Sequence, residues 1–336
     1  MTYQTSLSGR TILTGDRPTG PLHLGHLTGS LQARVALQHA NDQTVLIADL
    51  QALTDNAGNP ARVRDNVLEV VLDYLAVGID PGQTTIALQS RLPALAELTL
   101  LYMNLVSVNR LLRNPTIKSE VESRGFGDSV PAGFLCYPIS QAADITGFDA
   151  DLVPVGADQG PLIEQTNEIV AAVNRLGGEV LRSCDMLLSP GSRLPGIEGK
   201  GKMSKSAGNA ILLKDDADTV RAKVMAMFTD PGHLRVADPG QVEGNVVFAM
   251  LEAFDSDLDE VTALKAHYRA GGLGDMLLKR RLNDILQARL APIRAARERF
   301  AADPTTVMEI VMEGSARARE KTQGVLEKVR GVFQLA

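Results

Sequence analysis

The sequence has no tryptophan, two cysteines and only 4% aromatic residues of any kind. Cys136 and Cys184 stand in apolar surroundings with no histidine or further cysteine at metal-ligand spacing. That excludes a disulfide framework and a zinc site, and both thiols read as reduced, buried and structural. No apolar run approaches the roughly 18 residues of a membrane span. The start, Met1-Thr2-Tyr3-Gln4-Thr5, lacks a charged stretch leading into an apolar core. The expectation is a soluble, untargeted, cytoplasmic protein with no membrane partner. Repeats and low-complexity tracts are missing. So are a Walker-type phosphate loop and the glycine fingerprint of dinucleotide sites, which removes those two nucleotide classes.

What is present fits a globular chain. Its 336 residues, 44% hydrophobic, leave room for one large or two medium domains with an ordinary core. A net charge of −6 argues against a nucleic-acid partner, but the acidity is uneven. From Asp257 onward there are 14 Lys/Arg against 11 Asp/Glu, including Lys279-Arg280-Arg281, so a basic C-terminal face is open.

Two distant segments look built for phosphate. Lys202-Met203-Ser204-Lys205-Ser206 places two ammonium groups three residues apart among hydroxyls, between glycines that let a loop bend. Gly15-Asp16-Arg17-Pro18-Thr19-Gly20-Pro21-Leu22-His23-Leu24-Gly25-His26 follows a short apolar strand and leads into a periodic helix. Strand, glycine turn and helix together present backbone N–H groups and a helix dipole to an anion. His23 and His26, three apart, share one face of the first turn and can donate to phosphoryl oxygens as charge builds.

These paired segments resemble the nucleotide-binding motifs of class I aminoacyl-tRNA synthetases, and further matches make the chain similar to the bacterial tryptophanyl enzymes along almost its whole length. The resemblance implies an α/β fold: a Rossmann-like parallel-sheet nucleotide-binding domain over residues 1–214, with about 92–133 inserted as a helical dimer-interface and loop region. A helical, anticodon-reading domain over 215–336 completes it.

The hydrophobic pattern alternates strand and helix, predicting strands at 11–14, 44–49 and 84–89. Helices are expected from 24 to about 41 and over 61–77. Residues 92–109 read as one apolar helix. Residues 116–130, polar and glycine-containing, read as a mobile loop at the site entrance. A helix is expected after Pro138, a strand over 151–155 and a last strand at 210–213. From 215 on the chain reads as helical, broken at Pro231, Pro239 and 271–274.

In Gly133-Phe134-Leu135-Cys136-Tyr137-Pro138-Ile139-Ser140-Gln141-Ala142-Ala143-Asp144-Ile145, Gln141 and Asp144 share a helix face. Burying Asp144 there is costly unless something donates to it. By the resemblance, Asp144 takes the indole N–H of L-tryptophan, Tyr137 and Gln141 line the pocket and meet the α-ammonium, and Leu13 and Gly15 lie along the indole. Val153-Pro154-Val155-Gly156-Ala157-Asp158-Gln159 implies Gly156 and Asp158 against the ATP ribose, with Gln159 on the amino acid. Arg17, Thr19, Gly25, His26, Lys202, Met203, Ser204 and Lys205 are implied for ATP. Leu13 replaces the family's aromatic residue, Gln51 a common histidine and Asn167 a common arginine.

The implied reaction is ATP-dependent activation of tryptophan, Mg2+ arriving with ATP rather than on protein side chains, then transfer to tRNA(Trp) by a homodimer. Lys202, Lys205, His23 and His26 would act by charge stabilisation, with no covalent nucleophile. There is no room for an editing domain. Three other readings stay open: a tyrosyl enzyme, a small nucleotidylyltransferase, and a duplicated synthetase turned regulatory or partner-binding protein.

Overall fold

The computed structural model describes residues 7–127, 129–188, 194–205 and 207–335; the first six residues and Ser206 lie outside that set. Strands β1 (Thr11–Asp16), β2 (Asp42–Ile47), β3 (Thr84–Leu88), β4 (Leu152–Val155) and β5 (Asp185–Leu188) form one parallel sheet in the order β3-β2-β1-β4-β5. Their apolar runs suit strands covered by helices on both faces. Sequence order reverses at β1, where Thr11 to Asp16 lie opposite Asp42 to Ile47 on one side and Ile12 lies opposite Leu152 on the other. A ligand crevice forms beyond the C-terminal strand ends at such a switch point.

Several expectations need correction. The fifth strand is β5, not 210–213. Asp185-Met186-Leu187-Leu188 is a four-residue, largely exposed edge, too short for its apolar run to stand out. Residues 210–213 instead run antiparallel to the histidine turn, with Leu24 N–H donating to Ile211 O at 3.0 Å and Leu213 N–H to Leu22 O at 2.9 Å. The first helix is not uniform: Leu24–His26 passes through a π-helical turn, Leu27–Leu31, into Gln32–Leu37. Such turns collect at functional sites.

The expected 92–109 helix is two, Pro93–Met103 and Val108–Leu112, because the Ser107 hydroxyl caps a new start. The expected mobile loop carries a helix, Pro115–Arg124. Asn114 Oδ1 accepts the Thr116 N–H at 3.0 Å, Pro115 opens the first turn and Gly125, at φ +67°, ends the helix. Polarity concealed it, since only Ile117 on this helix is buried. The next helix, Ala132–Gly147, starts before Pro138 and carries that proline inside.

The C-terminal part is helical as expected: Ala217–Met225, Val246–Phe254, Leu258–Ala270, Asp275–Ala301 and Pro304–Val332. One apolar core runs across residue 214, joining Val70 and Tyr74 to Val246, Leu286 and Val311. The last helix covers the β3 edge. A Cβ on Gly314 would stand 2.1 Å from the Ile86 carbonyl oxygen, and the Ser315 hydroxyl accepts the Leu88 N–H at 2.9 Å. That seals an edge otherwise open to strange strands.

Candidate active site

A cleft of about 450 Å³ opens at the C-terminal ends of β1 and β4. Its floor requires glycine at residue 15, where a Cβ would meet the Leu46 carbonyl oxygen at 2.2 Å. The turn that follows has its backbone held by side chains. Arg62 Nε donates to Thr19 O at 3.0 Å and Lys205 Nζ to Gly20 O at 2.7 Å.

At the helix start, His23 Nδ1 accepts the Gly25 N–H at 3.0 Å and His26 Nδ1 accepts the His23 N–H at 3.3 Å, with ring centroids 3.9 Å apart. A nitrogen that accepts carries no proton, so both rings hold theirs on Nε2, free to donate elsewhere. Gly25 is needed for this, since a Cβ there would press on the His23 ring at 2.9 Å. Burial, with His26 and Lys205 nearby, pushes the His23 pKa down to about 2. Burial likewise takes His26 down to about 4. Both imidazoles are therefore neutral donors at physiological pH.

The lysine segment is a braced loop. Asn209 Oδ1 accepts the Ser204 N–H at 2.8 Å, and Asn209 Nδ2 donates to Glu198 at 2.7 Å. Met203, expected against ATP, has its side chain buried in the main core, and its N–H donates to Leu194 O at 2.9 Å, so it anchors the loop. Lys205 reaches the cleft, and burial lowers its pKa. Lys202 is exposed, and Asp158 is exposed next to Gln159.

Arg17, Thr19, His26, Gly156 and Lys205 line the cleft, and so do Leu13, Gly15, Tyr137, Gln141, Asp144 and Gln159. Asp144 is 4% exposed, and burial raises its carboxyl to about 7 despite the Gln89 amide, which donates to both its oxygens at 2.9 Å. Burial also raises the Tyr137 hydroxyl. Gln51, in the histidine's place, donates through Nε2 to Tyr137 O at 3.4 Å. Asn167, in the arginine's place, exchanges hydrogen bonds with the Cys184 backbone at 3.0 and 2.9 Å.

Three site residues escaped the sequence reading. Asp16 Oδ2 takes Arg34 Nη1 at 2.6 Å and the Tyr74 hydroxyl at 2.7 Å beside His26. Burial works to raise this carboxyl, yet Arg34, with His26, holds it far below its usual value. The signal was Arg34 itself, a charge on the same helix face as Leu27 and Leu31. Gln89, a polar residue ending a buried strand, was the third.

The family model described as tRNA synthetases class I (W and Y) matches residues 8–291. A tryptophan–tRNA ligase of Clostridium longisporum is 56% identical over 324 residues, 95% of each chain. One from Streptococcus agalactiae is 51% identical over 337 residues, 96% of this chain and 97% of its own. Among solved structures, the tryptophanyl-tRNA synthetase of Campylobacter jejuni, complexed with ADP and tryptophan, superposes with a TM-score of 0.83 at 28% identity, covering 97% of this chain and all of its own. With motif, sheet order and cleft in agreement, the chain belongs to the class I tRNA synthetases of the W and Y family.

Proposed function

We propose that this chain activates L-tryptophan with ATP and transfers it to the 3′ end of tRNA(Trp). The observation that carries this reading is that one cleft is lined both by a buried carboxylate, Asp144, and by a lysine and an imidazole, Lys205 and His26. The Campylobacter neighbour holds a nucleotide and tryptophan together, and the relatives are tryptophan ligases. Phenylalanine has no donor for Asp144, and the phenol O–H of tyrosine stands at a different place on its ring from an indole N–H, so either would leave the desolvated carboxylate short of its partner.

In the first step a tryptophan carboxylate oxygen bonds to the α-phosphorus, and the bond from that phosphorus to the bridging oxygen of pyrophosphate breaks. In the second, a ribose hydroxyl of the terminal adenosine takes the aminoacyl group and AMP leaves. His23 and His26 donate from Nε2 as charge grows on the phosphoryl oxygens; Lys205, and Lys202 once the loop closes, neutralise the pyrophosphate. Mg2+ enters as part of the ATP substrate. The helical region, 215–336, reads tRNA. Exposed Leu100, Met103, Val108 and Leu112 support a homodimer through the 92–133 region, and cytoplasmic residence follows from the role.

The test is exchange of labelled pyrophosphate into ATP with each of the twenty amino acids. Exchange with tryptophan alone is expected. Exchange with tyrosine would overturn the role of Asp144, and none at all would favour a regulatory protein, the reading that Leu13, Gln51 and Asn167 motivate.

A further inference from the structure

Asp73 lies inside the Pro60–Ala76 helix, 0% exposed, and does not line the cleft. Both its oxygens are used. Oδ2 accepts the Leu22 N–H at 2.6 Å, and Oδ1 accepts Arg297 Nε at 2.9 Å. Arg297 comes from the Asp275–Ala301 helix and also donates through Nη2 to Glu69 at 2.8 Å. Glu69 accepts Lys214 Nζ at 2.8 Å as well, and Lys214 follows Leu213, whose N–H donates to Leu22 O. A single buried carboxylate thus ties the residue preceding His23 to the helical region. Apolar side chains of similar size commonly serve stability as well as a buried ion pair does, whereas removing one partner strands the other charge. Stability alone therefore gives little reason for Asp73.

We propose that Asp73 is a positioning residue for the histidine turn, and that Arg297 makes its position depend on the seating of the Asp275–Ala301 helix. The proposal rests on the activation reading above. Thr19 O and Gly20 O are held by Arg62 and Lys205, and Leu22 O by the Leu213 N–H; the Leu22 N–H is held by Asp73 one residue ahead of His23, and its register sets where both Nε2 donors stand.

The experiment compares the full chain with R297M, R297K, D73N and the control K321M, which removes a different ion pair between the last helix and the sheet, Lys321–Asp42. Pyrophosphate exchange is measured with separate kcat and KM values, and hydrogen exchange is followed at residues 19–26. R297M and D73N are expected to lower kcat tenfold or more with the tryptophan KM within twofold, and to speed hydrogen exchange at 19–26. R297K recovers kcat several-fold and K321M matches the wild type. R297M with kcat within twofold of K321M, a tryptophan KM that rises as kcat falls, or unchanged exchange at 19–26 overturns it. If R297M does not fold, R297K and D73N decide by the same measures. A wild type inactive with every amino acid rejects the activation reading instead, and hydrogen exchange alone then decides the tether.

Discussion

Gln89 holds Asp144 from a single nitrogen. Its Nε2 donates to both carboxylate oxygens at 2.9 Å, and its Oε1 accepts the Gln51 N–H at 3.0 Å. One amide N–H is shared between the two oxygens, which leaves lone pairs for an indole N–H. Gln89→Leu should therefore strand a buried carboxylate and loosen its orientation. The expected outcome is a tenfold or greater rise in tryptophan KM, with ATP KM within twofold. An ATP effect of equal size would refute Gln89 as an amino-acid-side residue.

The position of Asp144 carries a stability cost. Its folded carboxyl is raised from 3.8 to about 7, so its contribution is fully present below the unfolded value and is lost as pH rises through about 7. Asp144→Asn removes that loss. Denaturation of the two proteins should show the variant gaining on the wild type between pH 4 and pH 8, by at most on the order of 4 kcal/mol. The same variant should lose discrimination against tyrosine. A pH-independent stability difference would mean the carboxyl does not titrate in that window.

His23 and His26 have the opposite sign. Their folded values, about 2 and about 4, lie below the ordinary 6.5, so the stability they contribute is present above pH 6.5 and falls away as pH drops towards the folded values. Between pH 6.5 and 8.5 they stay neutral, and kcat for adenylate formation should show no limb from either ring. His26→Ala should cost about 10²–10³ in kcat. An alkaline loss of rate that disappears in His26→Ala would show that a charged imidazole acts.

Where local chemistry and tertiary packing agreed, the sequence was readable. The first three strands, the histidine turn and the breaks after residue 214 were legible because apolar runs and glycine or proline mark them without help from distant residues. The fold's less visible parts depend on partners remote in sequence. β5 exists because β4 offers it an edge, with Leu152 opposite Asp185. Gln89 matters only once Asp144, 55 residues on, is placed against it. Asn167 shows the same limit. It stands in place of an arginine, and its hydrogen bonds to the Cys184 backbone give it a bracing role that no local pattern announces.

Asn209 provides the sharpest separation of loop geometry from loop charge. It is 5% exposed and joins the Ser204 N–H to Glu198, while Gly196 is needed beside it, since a Cβ there would stand 2.2 Å from Nδ2. Asn209→Ala leaves both lysines in place but removes the brace, at a cost of about 1 kcal/mol for each lost hydrogen bond. Adenylate formation should slow tenfold or more, because Lys205 and Lys202 must be held before the transition state to stabilise it without reorganisation. Tryptophan binding, read from the ligand's own fluorescence in a chain that has no tryptophan, should stay within twofold. Lys205→Ala should show the same split more strongly. If Asn209→Ala weakened tryptophan binding as much as it slowed the chemistry, the loop would be acting on the ground state, and its bracing would belong to binding rather than to catalysis.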